Sequence, residues 1–309
     1  MSSRKMVFVA GATGAQGGAV VDALGGSGLA IRALVRDPGT AQAQQLAARG
    51  VELAQGDFDD SDSLIRAMAG VDAVFSVQVP PRPDDRDSEV RTGGKLIEAA
   101  RANGVDCFVH TSVARAGEHE SFAGWAERRW WPRYWTSKAD MNDLVEQAGF
   151  PHWLILKPAY MMDNFIQPKA AWMFPGLKVR GVIETAMDPS ARLDLVAAAD
   201  VGRFAAAAFA DPARFHGRHM PLAADSLTMA EIASTIASAT GKPVGLRHVS
   251  ADDANALGNS PGLTESQQWA SIEGYKVNIK QAQGHGITLE HFADWTWRMR
   301  DRFEIGGQS

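Results

Sequence analysis

The chain has 309 residues, 45% apolar and 22% charged, a balance that fits a globular protein of about two folding units and excludes a disordered tail, a collagen-like fibre or a long coiled coil. A formal net charge of -5 argues against direct nucleic-acid binding, and the single Cys107 excludes an internal disulfide. The apolar run that starts at Met6 stops at Gly11, too short for a secretory leader, and no run of about 18 apolar residues could cross a bilayer. The expectation is a soluble, cytoplasmic protein with no membrane partner.

In chain order, short apolar runs alternate with helical spacing. Residues 6–10 read as a strand and 15–24 as a helix, then 31–35 with 40–49, and 51–54 with 61–68, capped near Asp60-Ser61. The rhythm continues with strand 73–77 and helix 89–102, strand 107–110 and helix 136–148, and a sixth strand at 153–156. Such alternation predicts an α/β fold, a doubly wound parallel sheet covered on both faces. After Pro158 the period is lost through 160–190. An alanine-rich buried helix is expected within 193–209, beginning near Asp200, another over 228–240 entered at Ser226, and an amphipathic one over 291–302. The expected organisation is a nucleotide-binding-type domain over 1–158, rejoined by 192–225. A smaller, mostly helical carboxy-terminal lobe of 159–191 and 226–309 is interleaved with it and serves substrate or partner.

Gly11-Ala12-Thr13-Gly14-Ala15-Gln16-Gly17 lies between the first strand and the first helix. In that setting the first glycine allows a tight turn, the second lets backbone approach a pyrophosphate, and the third lets helix and strand pack closely. The amides at the helix start then face the phosphates, which makes Gly11, Thr13, Gly14, Ala15, Gln16 and Gly17 candidate cofactor-binding residues. The second strand ends in Val35-Arg36-Asp37. Arginine at this tip suits a 2′-phosphate, whereas an acidic residue suits a ribose hydroxyl. Arg36 therefore favours NADP, and Asp37 one residue on leaves NAD open.

The stretches GATGAQGG, LVRDP, GDFDD at Gly56 to Asp60 and KPAYMMDNF at Lys157 to Phe165 resemble the NmrA-like branch of the atypical short-chain dehydrogenase/reductase superfamily. DLVAAADVGRFAAAAF and LTMAEIA resemble it too, more loosely after about residue 240. The resemblance implies a Rossmann domain with a small carboxy-terminal lobe, binding NADP or NAD. It implies further that Asp57 and Phe58 lie along the adenine, Gln78 and Val79 line the cofactor crevice, and Tyr160 lies near the nicotinamide.

Tyr134 and Lys138 stand four apart at a helix entrance and so share one face. Reduction of a carbonyl needs a proton donor. A phenol ordinarily titrates near about 10, and a neighbouring ammonium is expected to lower it toward working pH. Lys138 could also hold the nicotinamide ribose, and Ser112, closing His110-Thr111-Ser112, could bond the substrate oxygen. Together they resemble the Ser…Tyr-x-x-x-Lys triad of extended short-chain reductases. Many NmrA-like proteins keep the lysine without the tyrosine, and some are cofactor sensors. Two readings therefore stand: an NADP(H)-dependent reductase of a carbonyl or quinone-like molecule, and a non-catalytic sensor with a regulatory protein partner or a second copy of itself.

Trp125, Trp130, Trp131 and Trp135 crowd around Tyr134. They could stack on a flat aromatic substrate, or form a lid, a subunit contact or a packing cluster that claims Tyr134 as well. Pro132 among them suggests a bend. The 8 histidines are scattered without a ligand motif, so no metal is expected. Cys107 reads as a buried, inert thiol.

Overall fold

The strands form where Val, Ile, Leu and Phe run together and the helices where alanine-rich, amphipathic spacing takes over. The computed structural model describes residues 5–306; residues 1–4 and 307–309, assigned above to the outer ends of the two domains, lie outside the described residues. The chain runs β1 (Met6–Val9), α1 (Ala15–Leu24), β2 (Ala30–Val35), α2 (Ala41–Ala48), β3 (Glu52–Gln55), α3 (Ser61–Ala67) and β4 (Ala73–Val77). It continues through α4 (Ser88–Ala102), β5 (Cys107–Thr111), α5 (Pro132–Gln147), β6 (His152–Pro158), β7 (Tyr160–Met161), α6 (Ala170–Met173), α7 (Pro175–Arg180) and β8 (Val182–Thr185). Next come β9 (Arg192–Val196), α8 (Ala198–Ala210), α9 (Pro212–Phe215), β10 (Arg218–Leu222), β11 (Asp225–Thr228), α10 (Met229–Thr240) and β12 (Gly245–His248). Four short helices close the list: α11 (Ala251–Ala256), α12 (Pro261–Ile272), α13 (Ile279–Gln283) and α14 (Phe292–Arg298).

The described residues divide into two compact units. The first takes the chain through His119, then Trp131–Pro158 and Ala198–Pro221. Its sheet has the order β10-β6-β5-β4-β1-β2-β3, and from β6 to β3 every pairing is parallel, with Val7 opposite Ile31 on one side and Ala73 on the other. This is the doubly wound α/β arrangement expected. Its strand order reverses between β1 and β4, the switch point where such sheets bind ligands. One core holds Phe8, Leu64, Val74, Leu96, Phe108, Met141 and Ile155, all fully buried, each burial worth about 1.5–3 kcal/mol. Phe150 stacks on Phe108 with ring centroids 4.7 Å apart. Helix α8 lies directly on α1, because a Cβ at Gly202 would sit 2.3 Å from the Ala19 carbonyl oxygen.

The second unit takes Glu120–Trp130, Ala159–Ala197 and the chain from Leu222. It holds a three-stranded sheet, β11-β9-β7, and the β12-β8 pair. Its core is aromatic: Phe165 stacks on Phe174 at 4.8 Å, meets Phe292 edge-on at 5.8 Å, and Phe292 lies 5.7 Å from Trp295. No helix among the described residues is long and apolar enough to cross a membrane.

Several element boundaries differ from expectation, each for a physical reason. Ahead of α8, which begins at Ala198 close to the expected Asp200, stands a strand the sequence did not separate: in β9 Leu193 and Leu195 are buried on either side of Asp194 and pair antiparallel with β11. Thr228, not Ser226, caps α10, in a capping box with Glu231, while Ser226 sits in β11. Helix α5 begins at Pro132 rather than Thr136: proline occupies the first turn, where its missing N–H costs nothing. Pro132 therefore starts a helix instead of bending a loop. The closing helix stops at Arg298 and runs on only as a 3-10 turn, Arg300–Arg302.

Candidate active site

The loop after β1 follows the logic of its glycines. Gly11 adopts φ +63 and faces β4, where an added Cβ would lie 2.8 Å from Val77 Cγ1. The Gly14 amide donates to the Gly11 carbonyl at 2.8 Å and closes the turn. A Cβ on Gly17 would fall 2.3 Å from the Gly11 oxygen and 2.7 Å from that of Ala10, so only glycine lets α1 pack this close to β1. Gly14 caps α1 with no side-chain hydrogen bond, and its first turn carries no acidic residue. The loop therefore fits a dinucleotide pyrophosphate, with first-turn amides and a positive helix end to meet it. Thr13 is exposed and Ala15 half-buried. Gln16 is tied down: its Oε1 accepts from Thr111 Oγ1 at 2.7 Å, fastening α1 to the end of β5. Thr111 was not anticipated as a partner.

The strand tips divide by what their side chains already hold. Arg36 is exposed after β2, with no ion pair among the described residues, while Asp37 accepts from the Gly39 amide at 2.7 Å and so faces its own loop. After β3, Asp57 is occupied locally, accepting from the Asp59 amide at 2.8 Å. Phe58 packs on the unit's core. Arg91 clamps that loop to α4 through Asp59 at 3.0 Å and Asp85 at 2.9 Å, and its hydrogen bonds hold both carboxyls below their ordinary range. Gln78, just past β4, is buried and accepts from Thr92 Oγ1 at 2.9 Å, whereas Val79 is 72% exposed. Tyr160 belongs to the second unit, where its ring lies 5.7 Å from Phe165 and burial pushes its phenol up.

The first turns of α5 carry Tyr134 half-buried and Lys138 buried. Lys138 Nζ lies 6.0 Å from the Tyr134 ring centroid, so the spacing does put both on one face. What the spacing did not disclose is Glu89. Its carboxylate is fully buried, accepts from Lys138 Nζ at 2.5 Å through Oε1, and accepts from Ser137 Oγ at 2.6 Å through Oε2. Helix α4 brings Glu89 there because Gly93 lets it approach α5, where a Cβ would lie 2.3 Å from the Met141 methyl. The expectation that Lys138 lowers the Tyr134 phenol is overturned. Burial first, and the Glu89 carboxylate second, push the phenol above its ordinary range.

Beneath this pair, His110 is fully buried and bonded through Nδ1 to Ser76 Oγ at 3.1 Å. Burial first, and Lys138 second, bring its pKa down to about 3, so the ring is neutral. Ser112 follows β5, its amide donating to the Leu156 carbonyl at 2.8 Å. The Ser112 Oγ and the His110 Nε2 are buried without a hydrogen-bond partner among the described residues. No hydrogen bond joins Ser112 to Tyr134 or Lys138. Trp130, in the second unit, is buried with its Nε1 donating to Ala123 O at 2.9 Å, and Trp135 is buried in the first with its ring edge-on to Tyr134 at 5.2 Å. Cys107 is buried in β5 and its thiol is pushed up to about 12 by that burial.

Comparison with known proteins agrees with this construction. The chain is 29% identical over 273 residues to an NAD(P)H azoreductase of Xenophilus azovorans, covering 88% of this chain and 87% of that one. The fold is similar to that of an NADPH-dependent quinone oxidoreductase from Escherichia coli complexed with NADPH (TM-score 0.72, 22% identity, 95% of this chain and 99% of that chain). It is also similar to that of NmrA, a negative transcriptional regulator, in complex with NADP (TM-score 0.72, 16% identity, 96% of each chain). Residues 3–286 match the NmrA-like family. With the glycine loop and the reversed strand order in place, the conclusion is that this chain belongs to the NmrA-like family.

Proposed function

We propose that this protein is an NADP(H)-dependent reductase of a carbonyl or quinone-like small molecule, able to accept NAD in second place. The observation that carries the reading is the shared face of Tyr134 and Lys138, with the ammonium 6.0 Å from the phenol ring centroid. Bound NADPH supplies a hydride, and the protein has to supply the proton. Tyr134, held protonated, donates it to the substrate oxygen as the hydride arrives. Lys138 spends one donor on Glu89 and keeps the others for a ribose. The unpartnered Ser112 hydroxyl suits a hydrogen bond to the substrate oxygen. Arg36 reads the 2′-phosphate, since the neighbouring Asp37 is turned into its own loop. The azoreductase and quinone oxidoreductase relatives support an NAD(P)H-dependent oxidoreductase, and the second of them the quinone-like substrate.

A second reading, an NADP(H)-binding regulator with a protein partner or a second copy, is favoured by one feature: the lysine expected at the ribose is already engaged by a buried carboxylate. The deciding experiment follows NADPH consumption against a panel of quinones and carbonyls, with cofactor affinity measured alongside. Turnover supports the reductase. Tight binding without turnover on any panel member supports the regulator.

A further inference from the structure

The polar groups around Lys138 come from three elements. Glu89 approaches from α4, the neutral His110 from β5, and Ser137 and Tyr134 from α5 itself. Both oxygens of Glu89 are used, at 2.5 Å and 2.6 Å, and none of its surface reaches solvent. An apolar pair of similar volume would dock α4 on α5 at least as well as a buried ion pair. Helix docking alone therefore gives no reason for two charges here.

We propose that Glu89 is a positioning residue of the hydride-transfer site: its carboxylate fixes the Lys138 ammonium against the Tyr134 ring and balances its charge. The inference rests on the reading in which Tyr134 is the proton donor. A lone ammonium beside the ring would stabilise the phenolate. Burial first and Glu89 second oppose that, His110 adds no charge, and the phenol stays protonated across the neutral range. A phenol held in this form gives a proton to a reduced product and does not take one from an alcohol.

The test has a readout that needs no turnover. The chain has 3 tyrosines, so the tyrosinate absorbance of the full chain, titrated with and without Tyr134→Phe, isolates Tyr134. In Glu89→Gln, Tyr134 is expected to ionise at least about one pH unit lower than in the parent. Turnover of NADPH with a panel substrate falls ~10-fold, the KM for NADPH moving less. Glu89→Gln leaves Lys138 without a counter-charge and can fail to fold, so Glu89→Asp is the second variant. It keeps the charge but cannot span both partners, so its turnover falls while Tyr134 titrates as in the parent. An unmoved Tyr134 titration in folded Glu89→Gln, or parent-level turnover in Glu89→Asp, overturns the proposal. If no chain turns over, the reductase reading fails by itself, and the titration still decides the role of Glu89.

Discussion

Between residues 11 and 17 the candidate site is made of backbone, whereas on α5 it is made of paired charges. The loop works through missing side chains: Gly17 leaves no room for a Cβ, and Gly14 caps α1 without a side-chain bond, so amides face outward. Nothing in it titrates. The α5 face works through Glu89, Lys138 and Tyr134, a buried carboxylate and ammonium beside a half-buried phenol. Binding at the first region should therefore be set by shape and be indifferent to pH, and chemistry at the second by charge balance.

The comparison breaks most completely at Gly17. In Gly17→Val the new side chain meets the Gly11 and Ala10 oxygens, both of them backbone atoms that cannot move aside. The expected outcome is loss of measurable NADPH binding by calorimetry and ~3 kcal/mol or more of stability. Gly14→Ala, whose added carbon would lie 3.3 Å from the Gly11 oxygen, should weaken binding and still fold.

Lys138→Ala attacks the charged region instead. It strands Glu89, which is fully buried, and should cost about 3–5 kcal/mol in denaturant unfolding. Replacing both partners with Glu89→Gln and Lys138→Met should recover most of that stability without recovering turnover. Arg36→Ala should weaken NADPH ~10–100-fold while leaving NADH nearly unchanged, if the exposed guanidinium reads the phosphate.

Acid sharpens the contrast. His110 is held neutral in the folded chain, with its pKa down to about 3 against 6.5 ordinarily. Below 6.5 the unfolded chain takes up a proton that the folded one refuses. The stability this ring contributes is complete above 6.5 and is lost as pH falls toward 3, by about 1.4 kcal/mol per unit. Denaturant midpoints at about pH 6 and 5 should therefore converge more closely in His110→Gln than in the parent.

What could be read from the sequence was local. The glycine loop needs only a strand before it and a helix after it, and Tyr134 and Lys138 need only the period of one helix. Glu89 was not legible as a site residue, because its partner stands 49 positions away and is chosen by how Gly93 lets α4 meet α5. The Thr111–Gln16 bond was hidden for the same reason, its partners being 95 positions apart. Strand β9 was lost in an alanine-rich stretch whose helix starts only at Ala198, since its inward Leu193 and Leu195 gain their meaning from β11. The sign of the Tyr134 shift likewise depended on tertiary burial first, and second on Glu89, outside the helix.

The central claim is that the Tyr134 hydroxyl donates the proton, and Tyr134→Phe tests it most directly. The variant removes one hydroxyl from a half-buried ring and leaves the Glu89–Lys138 pair in place. Steady-state kinetics with NADPH and the best panel substrate should show turnover lower by ~10²–10⁴-fold, with the NADPH dissociation constant unchanged. Parent-level turnover in Tyr134→Phe would contradict the account.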